Sequence, residues 1–488
     1  MDLVSSVFGS IAHWVDIQSL LLFTVLFLLI ADYLKTRRPS SFPPGPWALP
    51  FVGNIFTVDF NRAHESLTQL AETYGDVYSL RMGQTWMVVL NGFQMLKEAL
   101  VTQGDSLADP FEAHFTRVII SNGHLWKQQR RFALSTLKYF GVGKNSLEHA
   151  ILDEFTYSAK DVTVHKGKRF NPHLIINKTV SNIICSLVFG HRFEYEDEWF
   201  IELIKRFDSA LQIELYNSFP LLMRRLPGPH QTVQQFWSEV KDMIRSEIKE
   251  HKKDWNPAEP RDYIDCYLTE IQMRKGDAES TFDEENLVIC VMDLFAAGSE
   301  TTSTTLRWAF LYMAKYPEIQ EKVQAEIDRV IGQSRQPSMM DRANLPYTDA
   351  VIHEIQRIGN IVPLSLPHST NRDIQLGDYT VPKGVVIIPN LTSVLFDKRE
   401  WETPYTFNPG HFLNEEGKFV KRAAFIPFSA GKRVCLGENL ARMEIFLFFT
   451  SFMQQFTFSM PAGTKPVLDF RYGLTLAPAP YEISATLR

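Results

Sequence analysis

Residues 428–437 read Phe-Ser-Ala-Gly-Lys-Arg-Val-Cys-Leu-Gly and constrain this chain more than any other stretch. Cys435 follows a loop containing Gly431 and precedes residues 438–456, which read as a helix. A thiolate there faces unpaired backbone N–H groups and the positive end of the helix dipole, and both favour S⁻ over SH. Gly431 and Gly437 let backbone approach a flat ligand closely. A lone cysteine is more often a small buried hydrophobe. This setting suits a metal ligand or a nucleophile.

Residues 17–31 read IQSLLLFTVLFLLIA, between Asp16 and Asp32. About 20 residues cross the hydrocarbon core, so the run is short. Extending it to Leu34 brings Tyr33 to the interface. A cleaved signal peptide carries basic residues before its apolar run and small ones after it. Here the first 16 residues hold no Lys or Arg, while Lys35, Arg37 and Arg38 follow the run. Positive charge stays cytosolic. The order predicts an uncleaved signal anchor over residues 1–34, with the rest of the chain facing the cytosol. Residues 35–50 are basic and proline-rich, and include Pro39-Ser-Ser-Phe-Pro-Pro-Gly-Pro46. Such a linker is stiff and extended.

A length of 488 residues suits about three domains, yet no linker splits residues 51–488. Hydrophobic residues make up 45% and charged residues 22%, which excludes a disordered, collagenous or coiled-coil chain. The balance of 50 basic against 56 acidic residues gives −6 and argues against nucleic-acid binding. Cys185, Cys266, Cys290 and Cys435 lack any CxxC spacing, so neither a disulfide framework nor a zinc ribbon fits.

Periodicity predicts a mainly α chain with a small β region. Val77–Met82 and Thr85–Leu90 flank Gly83-Gln84, a two-residue hairpin turn. Residues 374–376, 379–381 and 385–388 read as short strands, and 93–102 and 148–162 as helices. Residues 282–316 read as a very long helix, opened by a capping box of Thr281 and Glu284. Pro317 starts the next helix. Three motifs fail. His353-Glu354-x-x-Arg357 lacks the second His of a zinc protease, and Gly141-Val-Gly143-Lys144 lacks P-loop spacing. Asn177-Lys-Thr and Asn390-Leu-Thr match glycosylation acceptors that a cytosolic domain would never present to the transferase.

FSAGKRVCLG resembles the FxxGxRxCxG haem-binding signature of cytochromes P450, and the resemblance runs from the apolar N-terminus to residue 488. It is nearest to the animal microsomal family 2, subfamily J and related fish forms. The resemblance implies the triangular, mainly α P450 fold. Haem b (iron protoporphyrin IX) would lie between a long central helix and the Cys loop, with Cys435 as metal ligand and Phe428 beside it. It implies a monooxygenase acting on fatty acids, such as arachidonic acid, and on xenobiotics. Its partners would be O₂, a lipophilic substrate, membrane lipid, NADPH–cytochrome P450 reductase and cytochrome b5, at the endoplasmic reticulum (microsomal) membrane. No flavin or nicotinamide motif is present, so electrons must come from such a partner.

Further matches follow from the same resemblance. Glu354 and Arg357 match ExxR, completed by His411 in Pro409-Gly410-His411-Phe412, where Gly410 replaces the usual Glu. Trp126 and Arg130 match WxxxR; with Arg433 and His368 they are the implied propionate contacts. Ala297-Gly298-Ser-Glu300-Thr301 matches [AG]GxxT, implying Ala297 and Gly298 at the haem, Thr301 positioning a water, and Glu300 relaying protons. Peroxide-rearranging P450s commonly lack this acid–alcohol pair. The implied substrate pocket includes Phe111, Phe115, Ile119, Phe207, Leu211, Asp293, Phe295, Ala297, Ile361, Val362 and Leu474. Core packing would give a similar set. Leu221 to Pro229 resembles a second membrane contact. Lys127, Arg131, Lys138 and Lys432 form a basic face for the reductase.

Overall fold

The structure is a computed structural model that describes residues 17–107, 109–110, 121, 123–210 and 229–488. The expected pocket residues Phe111, Phe115, Ile119 and Leu211, and the segment 221–228, lie outside the described residues. Strand β1 (Val77–Met82) pairs antiparallel with β2 (Thr85–Leu90), with Met82 opposite Thr85. Gly83 takes φ +60°, as the first position of a two-residue hairpin turn requires. Next in the chain come β3 (Asp109–Pro110), β4 (His368–Ser369), β5 (Ile374–Leu376), β6 (Tyr379–Val381) and β7 (Val386–Pro389). The main sheet runs β1-β2-β7-β4-β3, with β2 and β7 parallel, while β5 and β6 form a separate hairpin. β7 starts one residue later than the sequence predicts.

Near the C-terminus, Phe456–Ser459 pairs with Ser484–Leu487 and Phe470–Tyr472 with Leu476–Pro478, and the other elements are mainly helical. Helices α1 (Ile17–Lys35), α2 (Ala63–Tyr74), α3 (Gly123–Tyr139), α4 (Asn145–Val164), α5 (His173–Val188) and α6 (Glu198–Ala210) precede the core helices. Then come α7 (Pro229–Asp254), α8 (Tyr263–Met273), α9 (Glu284–Lys315), α10 (Pro317–Val330), α11 (Pro346–Gly359) and α12 (Glu438–Gln455). The run predicted over 93–102 is α-helical only to Lys97; Glu98–Thr102 is a π turn, a form common at functional sites. Helix α9 crosses the core against α5 and α12. Its N-cap is Asp283, not Thr281: the Asp283 carboxylate accepts the Asn286 N–H at 2.7 Å. The Thr281 hydroxyl donates instead to Gln128 on α3, at 2.8 Å. A long-range partner outcompeted a local cap.

Helix α1 is long and apolar enough over Gln18–Lys35 to cross a membrane. Its apolar side chains are exposed, and Asp32 is buried. Asn177 and Asn390 are buried too, so a glycan on either would be incompatible with this fold.

Candidate active site

The Cys435 loop closes on itself, with the Cys435 N–H donating to the Phe428 carbonyl at 3.1 Å. Gly431 has φ +75°, and a Cβ there would lie 1.8 Å from the Leu100 carbonyl oxygen. The neighbouring π turn therefore requires this glycine, rather than a flat ligand. As the sequence predicts, the Gly437 and Glu438 amides point at the sulfur. Burial outweighs them and raises the thiol pKa, with the Glu438 charge adding to it and Arg130 opposing. The bare thiol is thus protonated, and a thiolate needs a cation on the sulfur. Cys435 is nevertheless exposed, whereas Cys185 and Cys290 are buried. The two facts agree if its surface opens into an enclosed part of the molecule, where protein desolvates the sulfur without covering it.

Helix α9 shows a similar opening. Ala297 is exposed and Thr301 partly so, between buried Phe295, Ser299, Glu300 and Thr302. Gly298 does not belong to that opening: a Cβ on it would meet Ile184 of α5 at 2.5 Å. Close packing of α9 on α5 explains the residue. The haem contact expected of it is not what demands glycine there.

Four predicted residues come together. The Arg433 guanidinium stacks on the Trp126 ring at 3.9 Å and donates to the Ser121 carbonyl at 2.6 Å. Arg130 lies over the same ring at 5.8 Å and donates to the Val434 carbonyl at 2.5 Å. Burial lowers the Arg130 pKa. His368, on β4, is bonded through Nδ1 to the Leu107 carbonyl at 2.7 Å. Burial, together with the Arg433 charge, pushes its pKa down to about 4. No carboxylate among the described residues pairs with Arg130. A cofactor bearing carboxylates would relieve this half-buried cationic group, and a porphyrin with two propionates and its iron on Cys435 fits the donor set.

Behind this site, Glu354 and Arg357 of α11 are fully buried and share two hydrogen bonds, at 2.8 and 2.7 Å. Arg357 also donates to the carbonyls of Leu395 at 2.8 Å and Pro404 at 2.7 Å. His411 completes the set, with Nδ1 3.1 Å from Glu354 Oε2. The Thr403 N–H meets His411 Nε2 at 3.2 Å, so Nδ1 carries the proton given to Glu354. Asn408, which sequence reasoning missed, donates its N–H to Glu354 Oε1 at 2.8 Å. Its Oδ1 caps the Gly410 N–H, and a Cβ on Gly410 would sit 2.8 Å from that oxygen. The unusual glycine fits the Asn408 cap.

The family profile for cytochrome P450 matches residues 43–485. This chain is a cytochrome P450. It is 51% identical over 481 residues to cytochrome P450 2J2 of Homo sapiens, covering 96% of each chain. It is 49% identical to cytochrome P450 2J1 of Oryctolagus cuniculus over 99% of each. Cytochrome P450 2D20 of Mesocricetus auratus is 45% identical, over 96% of this chain and 97% of the relative. As a P450 the protein is a haem b monooxygenase that draws electrons from a redox partner.

In this P450 the Glu300 carboxylate is buried. Its Oε1 accepts from Thr304 Oγ1 at 2.8 Å, Arg307 Nη2 at 3.3 Å and Thr475 Oγ1 at 3.3 Å. It therefore faces an internal network rather than bulk water. Thr475 was missed because its partner lies 175 residues away. The segment around it is held by two further bonds: Trp308 Nε1 donates to the Leu476 carbonyl, and the Leu476 N–H to the Ile361 carbonyl, both at 2.9 Å. Ile361 and Val362 are half-buried and Leu474 is exposed. Phe207 and Phe295 pack on each other, with centroids 5.0 Å apart, and are buried in the core with Phe236. Asp293 is buried near Cys290 and Tyr263.

Glu444 of α12 is another buried acid that sequence reasoning passed over, although a Glu inside Met443–Phe449 is itself a signal. Burial raises its pKa well above the usual range, and Thr302 offers only a contact without ordinary hydrogen-bond geometry. The buried cluster His251, Asp262 and Asp265 has metal-ligand spacing, but Arg261 already pairs with Asp265 at 2.7 Å. Asp262 in turn holds His251 at 2.9 Å.

Proposed function

We propose that this P450 oxygenates lipophilic molecules: polyunsaturated fatty acids such as arachidonic acid, by epoxidation or hydroxylation, and xenobiotics. Electrons come from NADPH through NADPH–cytochrome P450 reductase, with cytochrome b5 as a second donor. In this reading α1 crosses the endoplasmic reticulum membrane once, residues 35–50 link it to the domain, and residues 51–488 work in the cytosol. The carrying observation is that Ala297 and Thr301 are accessible on the largely buried middle of α9, in a chain whose Cys435 is exposed. Apolar Ile361, Val362 and Leu474 support a lipophilic substrate.

Bound haem supplies oxygen activation, which thiolate ligation biases toward O–O cleavage. Trp126, Arg130, His368 and Arg433 would hold its carboxylates, and the Phe428 carbonyl braces the loop through the Cys435 N–H. Thr301 Oγ1 donates to the Ala297 carbonyl at 2.8 Å. Rotating away from that bond frees the hydroxyl to hold a water and pass a proton. Glu300, held by hydrogen bonds from Thr304 and Thr475, is the neighbouring acid that would recharge Thr301. General acid steps of this kind contribute about 10²–10⁴-fold.

The test is product profiling with reductase and NADPH on a panel of fatty acids and drugs. Oxygenated fatty acids are expected from the native chain, and failure to oxygenate any lipophilic compound overturns the reading. Thr301→Ala should keep haem and substrate binding, form less product per NADPH and release more hydrogen peroxide. Normal coupling in that variant removes Thr301 from proton delivery.

For the reductase, Lys127, Arg131 and Lys138 remain exposed around one shallow groove with Leu134 and Ser135. Lys432 drops out of the expected basic face, because its ammonium pairs with Asp105. Electrostatic steering raises association 10-fold or more at low salt and fades over about 8–10 Å near physiological salt. Reversing Lys127 and Arg131 to Glu should slow first-electron transfer about tenfold at low ionic strength and leave substrate affinity unchanged. Identical stopped-flow reduction traces would exclude the groove.

A further inference from the structure

Asp32 lies where the apolar run of α1 ends, and it is buried against the catalytic domain. Its Oδ2 accepts from Arg81 Nη1 of β1 at 3.1 Å and from the Phe51 N–H at 3.2 Å. Arg81 is buried too. It also donates to the Thr36 hydroxyl and the Leu49 carbonyl, and Thr36 donates back to the Asp32 carbonyl at 2.7 Å. One turn along, Lys35 Nζ reaches Gln84 Oε1 in the hairpin turn at 2.9 Å. The proline-rich segment is sealed to the same strand. Ser79 N–H donates to the Pro44 carbonyl at 2.6 Å, and a Cβ on Gly45 would sit 1.9 Å from the Ser79 carbonyl oxygen. The end of the helix, the linker and β1 are therefore one hydrogen-bonded unit.

Phe51 adds an independent sign. It takes φ +62°, a strained conformation for a bulky residue, and the residue is 43% exposed. Strain of this kind persists only where the surroundings over-determine it, and here the Asp32 carboxylate holds the Phe51 amide. Trp47 is 78% and Leu49 38% exposed beside it. Aromatic side chains with one apolar and one wet side favour the membrane interface.

We propose that Asp32, Thr36 and Arg81 form a clamp that fixes the angle between α1 and the catalytic domain and holds Trp47, Leu49 and Phe51 in the lipid headgroup layer. The clamp rests on the reading of α1 as a bilayer-spanning helix. An aspartate at the end of an apolar helix is costly in lipid unless it is paired. Pairing it with a buried arginine of the domain meets that cost and removes the hinge at the same position. The anchor then orients the domain as well as tethering it.

The full-length holoenzyme in phosphatidylcholine–phosphatidylserine liposomes tests this. Trypsin acting after Lys35 or Arg37 releases the haem domain at a rate set by local opening. Losing a charged, buried hydrogen bond changes such an opening equilibrium by about tenfold or more. Asp32→Asn and Thr36→Val should each release the domain about tenfold faster than the native chain. Both should keep the reduced-carbonyl spectrum and resistance to carbonate extraction. Should Asp32→Asn lose haem, Thr36→Val decides alone. Polarised absorption on oriented bilayers should show one haem tilt in the native chain and a broadened distribution in the variants. Native release rates and tilt in the folded variants overturn the clamp. Carbonate extraction of the native chain overturns the spanning reading itself, and the clamp with it.

Discussion

Arg357→Ala should leave no folded, haem-loaded protein at physiological temperature. Arg357 is fully buried, with its guanidinium shared between Glu354 and the carbonyls of Leu395, Pro404 and Thr406. Removing it strands the Glu354 carboxylate, still tied to His411 and Asn408, in a fully buried site. Breaking one partner of a buried pair costs about 3–5 kcal/mol, against a total stability of about 5–15 kcal/mol. Arg357→Lys should recover little, because a point charge cannot make the forked contact or reach three carbonyls. The checks are a denaturant unfolding midpoint and the yield of reduced-carbonyl signal per polypeptide. A midpoint within about 1 kcal/mol of native would mean the pair behaves like a surface one.

Cys435→His should abolish the thiolate-type reduced-carbonyl spectrum completely, and monooxygenation with it. Of the four cysteines, Cys185 and Cys290 are buried with their thiol pKa values raised. Burial, with Asp262 and Asp265, takes Cys266 up to about 12. Only Cys435 is both an exposed residue and one with two amides aimed at its sulfur. Imidazole retains a metal ligand but lacks the electron donation that assists O–O cleavage. Haem content should therefore fall less than activity. A persisting thiolate spectrum in the variant would assign the ligand to another cysteine.

The features legible in the sequence are those whose causes are local. The β1–β2 hairpin matches to the residue, because alternation and the Gly83-Gln84 turn fix its register within fourteen positions. The Glu354–Arg357 pair is equally local, three residues apart on one helix face. Misreadings arise where the deciding partner is remote in sequence. Gly298 answers to Ile184, Gly431 to Leu100, and Thr281 to Gln128. Lys432 looks like part of a basic face until Asp105 is placed beside it. The thiol shows the same limit, since helix-end amides are visible in the sequence and the depth of burial opposing them is not.

The bonds around Thr475 have a consequence for altering this P450. The stretch Leu474–Leu476 forms part of the expected substrate wall, yet it is tied to Glu300, Trp308 and Ile361. In the function proposed above, substrate preference and economy of reducing equivalents therefore share one piece of backbone. A substitution chosen to reshape the wall at Leu474 or Ile361 will also shift the acid beside Thr301. Selectivity gained there will come with altered leakage of electrons to peroxide. Variants that change preference without that penalty should instead lie on walls that make no hydrogen bond to α9.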